Sequence, residues 1–222
     1  MNSLSAPWII REDGALSADW NMEVDAEALE KMVRGETTAP VIRFFEWSEI
    51  AISYGYLMEE SRVRGWANAL RNAPIVKRPT GGGAVLHYPS DLSVSLLWPR
   101  GQNLLSDHPR EAYGKIHSIL LEGLEKFLKA KSLKLYSAPQ SRFNQVVNPS
   151  PFQWDLPAVR VCFKEPVCHD VMMDEKKIVG GALRITKGAV LYQGNIQMAE
   201  KFDTAALKTI LIQTFKKQFA ID

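Results

Sequence analysis

The sequence predicts an α+β domain built on a mixed, mostly antiparallel sheet flanked by helices. Two observations carry that prediction. Segments with helical periodicity lie at the start, middle and end of the chain, and the β-rich segments fall in the two blocks between them. Within the first block, Leu92, Val94 and Leu96 alternate strictly with Ser93 and Ser95, the period of two of a strand with one face in a core.

Taken in order, residues 17–34 read as a helix. Trp20, Val24, Ala28 or Leu29, and Met32 fall on one face, and Gly35 is placed to end it. Pro40 then opens the β-forming run Val41–Trp47, which reads as a hairpin pair with Ala51–Gly55. Ile75–Arg78 is a short strand stopped by Pro79, and Ala84–His87 resumes after three glycines. Residues 110–131 carry the strongest helical pattern, with Ile116, Ile119, Leu120, Phe127 and Leu128 on one side and lysines and glutamates on the other. The proline-rich segment 137–158 reads as a long loop. Strands return at Val159–Phe163, His169–Met173, Lys177–Ile185 and Val190–Ile196. A last helix covers 203–219, with Leu207, Ile210, Leu211 and Phe215 facing inward.

The 222 residues suit one domain, and 46% hydrophobic against 23% charged residues allows a large core. A net charge of +2 supplies no electrostatic footprint for nucleic acid. No apolar run is long enough to span a membrane, and no basic stretch followed by an apolar core marks a signal peptide. The two cysteines, Cys162 and Cys168, make no disulfide framework and are expected to be reduced in a cytoplasmic setting.

Three segments carry candidate chemistry. In Arg78–His87 the run Gly81-Gly82-Gly83 implies positive φ or a ligand pressed against bare backbone, with Lys77 and Arg78 supplying charge; a glycine-rich turn would show the same run. No Gly-Lys-Ser/Thr follows, so it is not the phosphate loop of nucleotide hydrolases. His87 stands beside these glycines, whereas His108 and His117 read as structural. In Lys177–Arg184 the strand passes Gly180 and Gly181, which marks a bulge or a close backbone approach. Lys177 there is placed to stabilise charge in acyl transfer, or is a solvated lysine beside a turn. Cys162 is a candidate nucleophile or an inert core thiol. A metal site built on Cys162, Cys168, His169 and Asp170 lacks a further ligand at sensible spacing, so no metal is expected.

Together these segments resemble the superfamily of lipoate-protein ligase A, octanoyltransferases and biotin ligases. Asn21-Met22-Glu23-Val24-Asp25 is similar to its opening Asn-Met-x-x-Asp, and Arg78–His87 to its Arg-Arg-x-x-Gly-Gly-Gly-Ala-Val-x-His signature, with Lys77 for the first arginine. Lys177–Ala182 resembles Lys-Ile-x-Gly-Ser-Ala, with Gly181 where serine is usual. Gln193-Gly194-Asn195-Ile196 falls at a further family strand, where Tyr192 is an uncommon choice. Cys162–Pro166 looks like the Cys-Phe-x-x-Pro segment of the cysteine-dependent members. His87-Tyr88-Pro89-Ser90-Asp91 departs from the His-Asp-x-Gly-Asn of the ATP-dependent ligases.

The resemblance implies a biotin/lipoate ligase catalytic-domain fold over residues 1–222, without the C-terminal accessory domain of large ligases. It also implies attachment of an octanoyl or lipoyl group to the acceptor lysine of lipoyl-domain proteins: the acyltransferase subunit of 2-oxoacid dehydrogenases and the glycine cleavage H protein. The leading expectation is cysteine-dependent transfer from acyl carrier protein with no tightly bound cofactor. The alternatives are an ATP- and Mg-dependent lipoate ligase acting through lipoyl-adenylate, and a non-catalytic acyl-binding relative. Lys177 and Cys162 would be catalytic. Arg78, Gly81, Gly82, Gly83, His87, Gly180, Gly181 and Ala182 would bind substrate. Neither nucleic acid nor membrane is an expected partner.

Overall fold

The structure is a computed structural model describing residues 7–70, 72–102, 104–129, 132–137, 166–198 and 200–221, with side chains 66 and 69 left out. Among these described residues fourteen elements follow in the order β1 (Ile9–Leu16), α1 (Ala18–Val33), β2 (Val41–Trp47), β3 (Ala51–Tyr54), α2 (Ser61–Ala69), β4 (Ile75–Lys77), β5 (Ala84–His87), β6 (Leu92–Pro99), α3 (Pro109–Leu128), β7 (Leu133–Leu135), β8 (Val171–Met173), β9 (Lys176–Ile185), β10 (Ala189–Ile196) and α4 (Thr204–Phe219). Seven strands form one sheet in the order β1-β2-β6-β10-β9-β8-β7, parallel at β1–β2 and antiparallel elsewhere. A second sheet, β4-β3-β5, mixes one parallel and one antiparallel pair. The α+β class and the mostly antiparallel sheet stand as expected.

The large sheet is covered on both faces. Ile42, Phe44, Val94, Leu96, Val190 and Tyr192 pack with α3 and α4 in the main core, which also holds Ile116, Ile119, Leu120, Leu211 and Phe215. On the other face Leu97, Ala189 and Leu191 meet Leu29 and Met32 of α1. Local chemistry sets the helix ends. Ser17 Oγ accepts the Trp20 N–H at 3.4 Å to start α1, and Asp203 Oδ1 accepts the Ala206 N–H at 2.9 Å to start α4. Pro109 opens α3, and Lys129 closes it in the left-handed region at φ 50°.

Four expectations change. Val41–Trp47 and Ala51–Gly55 are not a hairpin: β2 is flanked by β1 and β6, so the chain crosses after Trp47 and β3 founds the second sheet. On α1, Trp20 is exposed; the buried face is Asn21, Met22, Asp25, Leu29 and Met32, because two polar residues there have partners inside. β6 is buried along its whole length, since Ser93 and Ser95 are hydrogen-bonded beneath α1 and the small sheet, not solvated. The helix over 110–131 stops at Leu128, and Phe127 and Leu128 are only partly buried. β1, α2 and β7 were not foreseen. The strand Val159–Phe163 and Cys162 lie outside the described residues, as do positions 138–158 of the expected loop. Among the described residues no helix is long and apolar enough to cross a membrane.

Candidate active site

A cleft of about 440 Å³, counting its open mouth, lies where the small sheet meets the α1 face of the large one. Met22, Phe45, Trp47 and Val85 give it apolar walls; Arg78 and His87 come from the small sheet's side; Gly180, Gly181, Ala182 and Gly194 supply backbone without bulk from β9 and β10. Five of the residues named from the sequence, Arg78, His87, Gly180, Gly181 and Ala182, therefore meet at one cleft.

The glycine loop is organised by its own arginine. Arg78 is buried, its Nη1 donates to Ser53 O and Oγ at 2.9 and 2.8 Å, and its Nη2 donates to Gly81 O and Gly83 O, each at 2.8 Å. The guanidinium shapes the loop from within, which fits its fixed fork of donors. Gly82 takes φ 88°, and its carbonyl passes so close to Gly55 that a Cβ there would lie 2.2 Å away. The loop is then docked on the large sheet. Thr80 Oγ1 donates to Gln193 Oε1 at 2.7 Å, Arg184 Nη1 donates to Pro79 O at 3.1 Å, and Gly81 lies against Leu183. Lys77 is exposed on β4.

His87 stacks on Trp47, with ring centroids 3.8 Å apart, and its Nε2 lies 2.6 Å from Ser53 Oγ. Burial, helped by the Arg78 charge, holds its pKa well below the usual value, so the ring is neutral at pH 7. Beneath the cleft, Asn195 Nδ2 and Gln197 Nε2 donate to Asp91 Oδ2 at 2.9 and 2.7 Å. Burial pushes the Asp91 carboxyl up to about 6 in spite of these donors.

The opening helix motif supports the wall. Arg43 on β2 places its Nη2 2.9 Å from Asn21 Oδ1 and its Nη1 3.0 Å from Asp25 Oδ1, and its Nε binds Asp13 at 2.6 Å. Asp25 also accepts from Ser95 Oγ at 2.9 Å and from Gln193 Nε2 at 2.7 Å. These charges are almost wholly buried, a situation tolerable only with each lone pair and donor satisfied.

Lys177 borders the cleft through Gly180, which lines it. Its Nζ lies 2.9 Å from Asp170 Oδ2, with both side chains all but inaccessible, and its stem lies across Gly180, where a Cβ would be 2.3 Å from Cε. The Gly181 N–H donates to Tyr113 Oη at 3.0 Å, so this amide already has a partner. Gly181 and Gly194 make room for the phenol of Tyr192, whose Oη sits 2.9 Å from His117 Nε2. Asp170 and Tyr113 carry no glycine run and no motif spacing in the sequence, and their roles emerge only from the fold. Cys162 lies outside the described residues; Cys168 is a free thiol, with Arg110 Nη2 at 3.7 Å.

Comparison with known proteins bears on what this arrangement does. The family model described as the lipoyl protein ligase A/B catalytic domain matches residues 17–220. The octanoyltransferase LipM of Lysinibacillus sphaericus is 29% identical over 191 residues, 85% of this chain and 65% of that protein. The octanoyltransferase LipM of Staphylococcus aureus is 27% identical over 201 residues, 87% of this chain and 66% of its own length. The chain thus spans just under two thirds of these relatives. Protein Ta0514 from T. acidophilum, solved with bound lipoic acid, shares the fold at a TM-score of 0.65 and 17% identity, over 99% of this chain and 87% of that one.

Proposed function

The chain belongs to the lipoyl protein ligase A/B catalytic-domain family, and from that premise we propose that it transfers an octanoyl group from acyl carrier protein to the acceptor lysine of a lipoyl-domain protein. The observation that carries this reading is the meeting of Arg78 and His87 with Gly180, Gly181 and Ala182 around an apolar-walled cleft, with Lys177 laid across Gly180. The name that the two relatives share, octanoyltransferase, favours the transferase over the ligase within the family.

In this reading the Cys162 thiolate attacks the carbonyl of the carrier's octanoyl thioester. The carrier thiolate leaves and takes up a proton, and octanoyl rests on Cys162. The acceptor amine then attacks the new thioester, Cys162 leaves as thiolate, and the nitrogen gives up its proton as the amide forms. Lys177 supplies a fixed cation for the oxyanion of both steps. The apolar walls at Met22, Phe45, Trp47 and Val85 suit an alkyl chain. Because the thioester carries the energy of the new bond, no cofactor is required. The acceptors are the acyltransferase subunit of 2-oxoacid dehydrogenases and the glycine cleavage H protein, and a carrier-protein donor puts the work in the cytoplasm.

The test mixes the protein with octanoyl-carrier protein and an apo lipoyl domain without ATP, beside a reaction with free lipoate and ATP. Modification of the domain from the carrier alone is expected. Modification only from the free acid with ATP would replace this reading with the ligase, and tight binding of octanoyl compounds without modification would leave an acyl-binding protein.

A further inference from the structure

We propose that Asp170 and Tyr113 form a brace that positions the Lys177 ammonium for acyl transfer, a role that rests on the reading of Lys177 given above. The brace is a directional chain of hydrogen bonds. The Gly181 N–H donates to Tyr113 Oη at 3.0 Å; the Tyr113 hydroxyl, with one proton to give, donates to Asp170 Oδ1; and Asp170 Oδ2 faces Lys177 Nζ at 2.9 Å. Asp170 Oδ2 also accepts the Val167 N–H at 2.6 Å. One end of the chain is thus a residue of the cleft wall, and the other is the lysine whose stem crosses the neighbouring glycine.

The carboxylate is itself held in place. His169, the residue before it, adopts φ 75°, a left-handed conformation that a side-chain-bearing residue keeps only where its surroundings enforce it. The enforcement is visible. The His169 ring fills the gap at Gly114, where a Cβ would lie 3.3 Å from it, and the His169 N–H donates to Tyr136 O at 2.8 Å. The Tyr136 N–H in turn donates to Asp170 O at 2.8 Å. Tyr113 and Gly114 are neighbours on α3, so one turn of that helix receives both the carboxylate and the strained histidine. His117, one turn on, stacks on the Tyr113 ring at 3.9 Å and fixes its rotation.

The chemistry calls for such a device. A buried ammonium needs an acceptor facing it, and a flexible lysine stem has many rotamers to lose. Asp170 answers the first need, and Asp170 with the bare Gly180 surface answers the second. A pair serving only to stabilise the fold would require neither the Tyr113 relay to Gly181 nor a strained turn.

Two variants separate the roles. Asp170→Asn removes the charge, and Tyr113→Phe keeps the ring and deletes the relay hydroxyl. For Asp170→Asn, kcat for octanoyl transfer should fall about 100-fold with KM for octanoyl-carrier protein held within about 3-fold, and Tyr113→Phe should lose about 10-fold in kcat. In parallel, acetic anhydride labelling of Lys177, read by peptide mass spectrometry, should accelerate about 10-fold or more in Asp170→Asn, because the amine is no longer held against the carboxylate. Unchanged labelling in both variants, or a loss of transfer that tracks only the folded fraction, would overturn the brace. Should Asp170→Asn fail to fold, Tyr113→Phe alone decides by the same readouts. Labelling needs no turnover. If wild type transfers nothing yet the labelling contrast is present, the acyl-transfer reading fails while the geometry stands.

Discussion

Gln193 donates to the Asp25 carboxylate across 2.7 Å and, through the other end of its amide, accepts from Thr80 at 2.7 Å. One side chain on β10 therefore joins the first helix to the glycine loop. It explains why an Asn-x-x-x-Asp pair near the start of the chain belongs to a cleft built more than fifty residues later. Burial raises the Asp25 pKa while Arg43 opposes the rise, so the carboxylate depends on its donors to stay ionised.

Replacing Gln193 with leucine keeps the volume and leaves Thr80 and Asp25 each short of a partner. The expected cost is about 1–3 kcal/mol of stability, read as a lower urea midpoint with an unchanged slope, together with weaker octanoyl transfer. A midpoint equal to wild type would mean that the amide link carries no weight.

The two adjacent glycines of β9 should respond differently to alanine. At Gly180 the new methyl would meet the Cε and Nζ of Lys177, whereas at Gly181 it would meet the ring of Tyr192, pinned by His117. Gly180→Ala is expected to abolish most transfer with a small change in melting temperature, because a lysine tip can move. Gly181→Ala is expected to cost about 1–3 kcal/mol in stability, as overpacking against a fixed ring does. Thermal melts beside transfer rates check both, and the opposite ordering would contradict the placement of Lys177.

Stability should depend on pH through Asp91. Its carboxyl titrates at about 6 in the fold against an ordinary 3.8, so the folded protein holds the proton more tightly. The resulting stabilisation is full below 3.8 and is lost as pH rises through about 6, a difference worth about 3 kcal/mol. His87 acts in the other direction: buried neutral, it lowers stability as pH falls below 6.5. Asp91→Asn should therefore gain on wild type between about pH 4 and about pH 8 in urea unfolding, and a difference constant with pH would refute the assignment.

Much of this was legible in the sequence where period or glycine spoke clearly. The apolar face of α3 and the strand glycines Gly180 and Gly181 fell where the fold uses them. The failures have physical causes. Helical spacing places Trp20 and Val24 on the inner face of α1 with Met32, but the buried face is polar at Asn21 and Asp25 because Arg43, distant in sequence, waits inside. The hairpin expected at 41–55 fails because strand pairing is non-local: β6 and β1 claim both edges of β2. Tyr113 and Asp170 lie 57 positions apart, and nothing in either segment announces that they meet.

In the proposed reaction octanoyl passes through Cys162 without ATP. Intact-mass spectrometry after incubation with octanoyl-carrier protein alone, followed by peptide mapping, tests it most directly. One octanoyl adduct is expected, mapped to Cys162, absent in Cys162→Ala, and discharged when an apo lipoyl domain is added. No adduct in wild type, with transfer to the domain undiminished in Cys162→Ala, would contradict it.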